Sequence, residues 1–516
     1  MKASFHALLA VLLPLCLVGQ PGTLDPTFGT GGVATFTLTE GWVAATDIVP
    51  MPDGDALVVS IAVDAQNISR MLLMKLDPNG ALDNTFGQGG MLRWSPGALG
   101  MRAQSTKLLP DGKLLVCGNM ITGNQLGVAA LYRFNADGTP DATFGSQGMT
   151  TIAHTGGNDN LYDMTILGNG QVLCVGEWKD ATAGSLLVAR FNADGTLDST
   201  FGTNGMLTHD MFPGTPERAM SIHPASDGNY HINCNRNYNA VFVLGMLPTG
   251  QVNAAYGSSG IVALNAVNMY NNTRNAARRP DGTLIVTEID DQDHVKLYAL
   301  DNNGDLVTGF GNNGSIVPDA APVLHWLNRL VALPDGTLIG SGGMNDASPG
   351  YKSMFTRYTT TGALDAGFGN GGSLLLPYFM FPGSYALTML PNGKIMTVVN
   401  NSSTSPQAVA HVLQLNGPAV GIAELDAQRN GLACGSSSGA TFVELPADGT
   451  TISGAAFHDV TGKLVAQVQG IQAAQGMGRT LPITYPAALE PGCYVLRLID
   501  RQGRPIGSCA VVKGQE

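Results

Sequence analysis

Asp290-Asp291-Gln292-Asp293-His294 is the densest group of acidic side chains in the chain, and carboxylates in a short loop are what a divalent cation takes as ligands. Lying between two apolar runs, the same residues also read as a solvated hairpin loop that needs no ion. His223, His231 and Cys234 supply donors of the kind that hold zinc, but the strand between them would send alternate side chains to opposite faces. Asp77-Pro78-Asn79-Gly80 and Asn192-Ala193-Asp194-Gly195 are Asp-rich enough to suggest calcium, although an Asx turn ending in Gly at positive φ needs no metal. Neither a Ser-His-Asp spacing nor a phosphate loop nor a zinc signature stands out. No catalytic, cofactor-binding or metal-binding residue is therefore assigned, and no cofactor is expected.

What positions these groups is a repeat of about 57 residues. An aromatic-Gly pair recurs as Phe28-Gly29, Phe86-Gly87, Phe144-Gly145, Phe201-Gly202, Tyr256-Gly257, Phe310-Gly311 and Phe368-Gly369. A second marker keeps step with it: Asp53-Gly54, Asp111-Gly112, Asn169-Gly170, Asp227-Gly228, Asp281-Gly282, Asp335-Gly336 and Asn392-Gly393. Asp-Gly between apolar runs predicts a hairpin with a type I′ turn. In the second unit two strands flank Asp111-Gly112, a third covers Val128 to Phe134, and a fourth runs from Met149 to Ala153. Four short strands per unit, with no helical period, describe a β-propeller blade. An aromatic recurring once per blade fits a wedge between neighbouring blades, the other reading being an exposed sugar-stacking ladder.

The last unit ends with the strand His411 to Gly417 and lacks the Leu-Asp-x-x-Phe-Gly segment that follows this strand elsewhere. That segment stands at the other end of the chain, as Leu24-Asp25-Pro26-Thr27-Phe28-Gly29 with the run Val33 to Leu38. The phasing predicts a seven-bladed ring over residues 21–417 in which the N-terminal segment completes the last blade.

Ahead of the ring, Lys2 and the apolar stretch Ala7 to Val18 read as a signal peptide over residues 1–20. It is too short to span a bilayer, and no later run approaches the roughly 18 apolar residues a transmembrane helix needs. A net charge of −12 repels phosphate backbones, which argues against a nucleic-acid partner. Cys117, Cys174 and Cys234 read as small buried hydrophobes, while Cys434, Cys493 and Cys509 could supply one disulfide near the C-terminus. Residues 418–440 read as a linker, and 441–516 as a small C-terminal β-sandwich, Ig-like in type. The fold class is thus all-β: a seven-bladed β-propeller with a C-terminal β-sandwich.

The phrase Leu82-Asp83-Asn84-Thr85-Phe86-Gly87-Gln88-Gly89-Gly90, with the Asn-x-Asp-Gly turn before it, resembles the bacterial delta-60 repeat family. Asp25, Asp83, Asp141, Asp198 and Asp365 hold the motif aspartate; the motif decays before Tyr256 and Phe310, where local distortion is expected. Phe457 to Val465 and Leu489 to Leu498, with the terminal Ala510-Val511-Val512-Lys513, resemble the C-terminal (Por) sorting domain of type IX secretion substrates, without its usual opening Pro-Asn-Pro. The first resemblance implies an exported repeat protein with no catalytic residues to carry over. The second implies passage across the outer membrane with the type IX machinery as a partner. Together they favour a noncatalytic surface or secreted propeller that binds an extracellular glycan or protein through segments such as Asn119 to Gly127 and Asn400 to Gln407. The competing reading is an extracellular hydrolase or lyase, which would need a histidine with a carboxylate, or two carboxylates, on the ring axis.

Overall fold

The computed structural model describes residues 21–96, 100–121, 126–152, 157–179, 184–237, 240–264, 276–289, 294–318, 326–346, 350–376, 386–401 and 409–416, and beyond them the strands between 434 and 513. Asp290 to Asp293, parts of the segments Asn119 to Gly127 and Asn400 to Gln407, and the expected signal peptide lie outside the described residues.

The middle strands are apolar along most of their length and buried on both faces, as in Leu114–Ile121 and Gly127–Phe134, and each unit folds as a four-stranded antiparallel sheet. Blade 2, for example, is Met101–Leu108, Leu114–Ile121, Gly127–Phe134 and Met149–Ile152, in that spatial order. The first strands of the blades neighbour one another in cyclic order, from Trp42–Pro50 round to Leu387–Met389 and back. Seven such sheets make the ring. Its outermost closing strand is N-terminal, as expected: Val33–Thr37 pairs antiparallel with Val409–Leu415, Val33 opposite Leu413 and Thr37 opposite Val409.

The apolar core is divided into seven layers, each clamped between two adjacent blades. The layer at the seam holds Phe28 and Ala34 from the N-terminal segment together with Met396, Val398 and Val412 from the last blade. A lone blade would expose both faces of such a layer to water, so the blades are stable only in company.

The hairpin turns differ from the type I′ expected. In blade 2, Gly112 N donates to Leu109 O at 2.9 Å and Leu109 N to Lys113 O at 2.8 Å. Of the turn residues only Gly112 has positive φ, at 82°. This is a type I turn over Pro110 and Asp111 followed by a left-handed Gly, because proline holds φ near −65° and cannot enter a type I′ turn. The Asp or Asn before the Gly locks the loop in all seven blades by accepting the amide two residues on, as in Lys113 N to Asp111 Oδ1 at 3.1 Å.

The two decayed units keep their turns. Tyr256 N still donates to Asn253 O, and Phe310 N to Val307 O, both at 3.0 Å. What changes is the outer strand, trimmed to Ile261–Ala263 and Ser315–Ile316 where the second and third blades have four residues.

After the ring, Cys434–Ser437, Ala440–Glu444 and Thr480–Thr484 form one sheet. Leu464–Gln469, Gly454–His458, Gly492–Ile499 and Pro505–Lys513 form another. The first of these strands falls within the stretch read as linker. The side chains of Cys434, Cys493 and Cys509 lie outside the description. No helix occurs among the described residues, and none is long and apolar enough to cross a membrane.

Candidate functional site

In five blades the outer turn is built around the motif aspartate. In blade 2, Asp141 Oδ1 accepts both the amide and the hydroxyl of Thr143, at 3.0 and 2.6 Å, which caps the turn leading to Phe144. Its Oδ2 takes Arg133 Nε at 2.7 Å and Lys113 Nζ at 2.8 Å. Burial alone would raise the Asp141 carboxyl, but the Lys113 and Thr143 hydrogen bonds and the Arg133 charge hold it well below the usual range. The same guanidinium lies over the Phe144 ring, 4.5 Å from its centroid. Blade 3 repeats the arrangement with Asp198, Arg190 and Phe201, and hydrogen bonds from Thr200 first, then Arg190 and Gln171, bring Asp198 down to about 2. Lys75 serves Asp83, Arg357 serves Asp365, and Lys394 serves Asp25 across the seam.

The aromatics are wedges. All seven are buried, and each of those in the interior blades packs on the left-handed Gly of the next blade's outer turn, as Phe144 does on Gly195. At the seam that Gly is Gly22, which meets Phe368. An exposed aromatic ladder is not formed.

Sequence reading missed the basic partners of the motif aspartates, and the signal was present. Lys75, Arg133, Arg190 and Arg357 hold one position near the end of the third strand, where the two decayed blades have Gly245 and Ala299. Those are the blades in which Asn253 and Val307 replace the aspartate. Cation and carboxylate are lost together, as burial of an ion pair requires.

Sequence reading also missed the axis. The first strands of five blades carry a β-bulge followed by Asp47, Ser105, Asp163, Ser221 or Arg329. The bulge re-aims Asp47, Ser105 and Asp163 toward the next blade, while Arg329 reaches past the last blade to Asp47 and Ser221 stays on its own strand. Asp47 Oδ2 accepts Thr106 N at 3.0 Å, and Asp163 Oδ2 accepts Ile222 N at 3.1 Å. Ser105 Oγ donates to Asp163 Oδ1 at 2.8 Å, and Arg329 Nη2 to Asp47 Oδ1 at 3.3 Å. Ser221 Oγ lies 2.9 Å from His223 Nε2. Enclosure by protein brings His223 down to about 3 despite the Asp163 charge, so the imidazole is neutral.

A serine hydroxyl on a neutral imidazole is the geometry of a nucleophile with its base. Here, however, Ser221 is only 2% exposed, and both oxygens of Asp163 already hold donors from neighbouring blades. The axial residues staple blade to blade.

Of the other candidates, His223 and His231 face each other across two strands, while Cys234 is buried with its thiol pushed well up by desolvation. Cys117, Cys174 and Cys234 are free and buried, as expected. Asp77 Oδ1 accepts the amides of Asn79 and Ala81, and Asp194 Oδ1 the amide and hydroxyl of Thr196, so both are Asx turns. An open groove of about 740 Å³ on the outer edge of blades 5 and 6 is lined by Lys296, Asn312, Val317, Thr361 and small residues, with no carboxylate or imidazole.

Several solved structures are weakly similar to this chain. The PQQ-bound aldose sugar dehydrogenase of Streptomyces coelicolor is 12% identical, with a TM-score of 0.35 over 60% of this chain and 94% of that one. The polysaccharide lyase PL25 ulvan lyase is 9% identical, with a TM-score of 0.38 over 74% and 96%. The GH43 endo-arabinanase of Bacillus licheniformis is 14% identical, with a TM-score of 0.27 over 49% and 92%. Likeness at this level says nothing about the chemistry of this chain. No curated protein matches it. Three stretches, residues 52–86, 109–144 and 167–201, match the family described as "Domain of unknown function (DUF5122) beta-propeller". Each stretch runs from the first hairpin turn of a blade to its outer aromatic.

Proposed function

We propose that this chain is an exported, noncatalytic propeller that binds an extracellular polymer, glycan or protein. The observation that carries the reading is the commitment of the ring's charged residues. The five motif aspartates, their basic partners and the axial Asp47 and Asp163 are all bound to other parts of the ring. What remains for recognition is the set of loops joining second to third strands, together with surfaces such as the groove beside Lys296. Glycan arrays and polymer pull-downs with the chain lacking residues 1–20 test this. Binding to one polymer class is expected; uniform failure to bind alongside turnover of a polysaccharide or ester would reverse it.

The sorting role of residues 441–516 belongs to the same proposal and is supported by their motif resemblance and by the strands found there. Deleting residues 430–516 is expected to leave the protein in the periplasm; unchanged surface delivery removes the assignment.

The Ser221–His223 contact favours a second reading, an axial hydrolase with Ser221 as nucleophile and His223 as base. Any esterase activity would then vanish in Ser221→Ala with the fold intact.

A further inference from the structure

The junction between blades 4 and 5 departs from the other six at three core positions at once. His231 stands where the other blades carry Leu, Ile or Met, Tyr256 where they carry Phe, and Arg278 where they carry Leu, Ile, Ala, Met or Pro. The three replacements meet in space. The rings of His231 and Tyr256 lie 4.4 Å apart between centroids, and Arg278 Nη2 is 2.7 Å from His231 Nδ1.

Facing a guanidinium, Nδ1 of His231 must accept, which puts the ring proton on Nε2. Burial first, then the Arg278 charge, bring His231 down to about 4, so the ring stays neutral in that tautomer. Burial likewise pushes the Tyr256 phenol up, keeping its proton. His231 and Tyr256 are each 1% exposed. Yet Tyr256 Oη and Arg278 Nε are buried without a hydrogen bond, and His231 Nε2 has only the Asn302 backbone to donate to. All three are donors.

The charge is also unbalanced. Arg133, Arg190, Arg218, Arg329 and Arg357 each reach a carboxylate, whereas Arg278 bonds only to neutral groups: Gly282 O, Asn302 Oδ1 and His231. The Asp227 charge favours the guanidinium, but both its oxygens are occupied by Asn229. A half-buried cation, two unserved donors and an imidazole N–H beside them call for one compact negative charge.

We propose that this junction binds a small monovalent anion of halide size, held by the Arg278 guanidinium, the Tyr256 hydroxyl and His231 Nε2–H, which joins blade 4 to blade 5 where the aspartate–cation pair has been lost.

The probe is bromide or chloride. Thermal unfolding of the full chain, at constant ionic strength set with gluconate, should show a saturable rise in Tm with halide. Arg278→Met should abolish the saturable part, and Tyr256→Phe, which restores the residue of the other blades, should weaken halide binding about tenfold. Crystals of the unaltered protein grown in bromide should show an anomalous peak within hydrogen-bonding distance of Arg278 Nε and Tyr256 Oη. No peak there, or a saturable rise that survives in Arg278→Met, overturns the proposal. The crystallographic arm needs no variant, so it decides even where Arg278→Met does not fold.

Discussion

The amide of Gly369 donates to the carbonyl of Pro21 at 2.9 Å, the bond that Gly145 makes to Asp194 inside the ring at 2.8 Å. The N-terminal segment thus supplies more than the last strand. Pro21 and Gly22 stand in for the outer turn that every other junction receives from the next blade. A Cβ on Gly22, whose φ is 76°, would lie 2.5 Å from Gly369 N and 2.8 Å from the Phe368 ring. Gly22→Ala is expected to cost roughly 1–3 kcal/mol in urea unfolding, and Gly195→Ala a similar amount. A neutral Gly22→Ala beside a costly Gly195→Ala would show that the seam is not built like the interior junctions.

Asp141→Asn keeps the turn cap but leaves Arg133 and Lys113 without their carboxylate. Its expected cost is about 3 kcal/mol, from stranding a charge that is largely shielded. The reverse change in blade 4, Asn253→Asp, introduces a carboxylate where Gly245 occupies the cation's position, and should not stabilise. Equilibrium denaturation of the two variants checks both; a stabilising Asn253→Asp would contradict the paired-loss account.

Two sets of groups set the acid response, in different windows. His231 is held near 4 in the fold and titrates at about 6.5 when unfolded, so the unfolded chain takes the proton first as pH falls. The stability it contributes is full above pH 6.5 and declines toward pH 4, by on the order of 3 kcal/mol. Asp25, Asp83, Asp141 and Asp198, held low, keep their contribution until pH falls below 3.8, and Asp198 loses it through about 2. Stability measured against pH should fall in two steps. His223, held near 3, titrates in the same upper window, so His231→Leu should shrink the upper step without abolishing it and leave the lower step as it is; a curve unchanged by that substitution would remove the assignment.

Asp163→Asn replaces an acceptor of two donors by a group with one acceptor, so either Ser105 Oγ or Ile222 N loses its partner. A loss of about 1–3 kcal/mol is expected, with ligand binding retained. Abolished binding or turnover at unchanged stability would instead place Asp163 in a functional site on the axis.

The blade phase was legible because Gly at positive φ and a wedged aromatic are local demands that recur wherever a blade recurs. Gly54 and Phe86 announce their roles by type alone. The turn class was misjudged because Asp-Gly was weighed without the Pro110 before it. The axial staples were not legible, since Asp47, Ser105, Asp163, Ser221 and Arg329 share a place but no chemistry, and the bulge that aims them leaves no composition signal. The halide-sized site was half visible. His231 and Arg278 break an apolar column, but only the ring brings residues from two blades face to face.

The seam between Pro21 and Gly369 is built from the same bonds as the interior junctions, so the position of the chain ends is incidental to the wheel. A circular permutant that joins Asn416 through Gly417 to Pro21, which restores the spacing of the interior turn Asn135-Ala136-Asp137-Gly138, and opens instead between two interior blades should fold to the same ring. Its old termini would become one more loop.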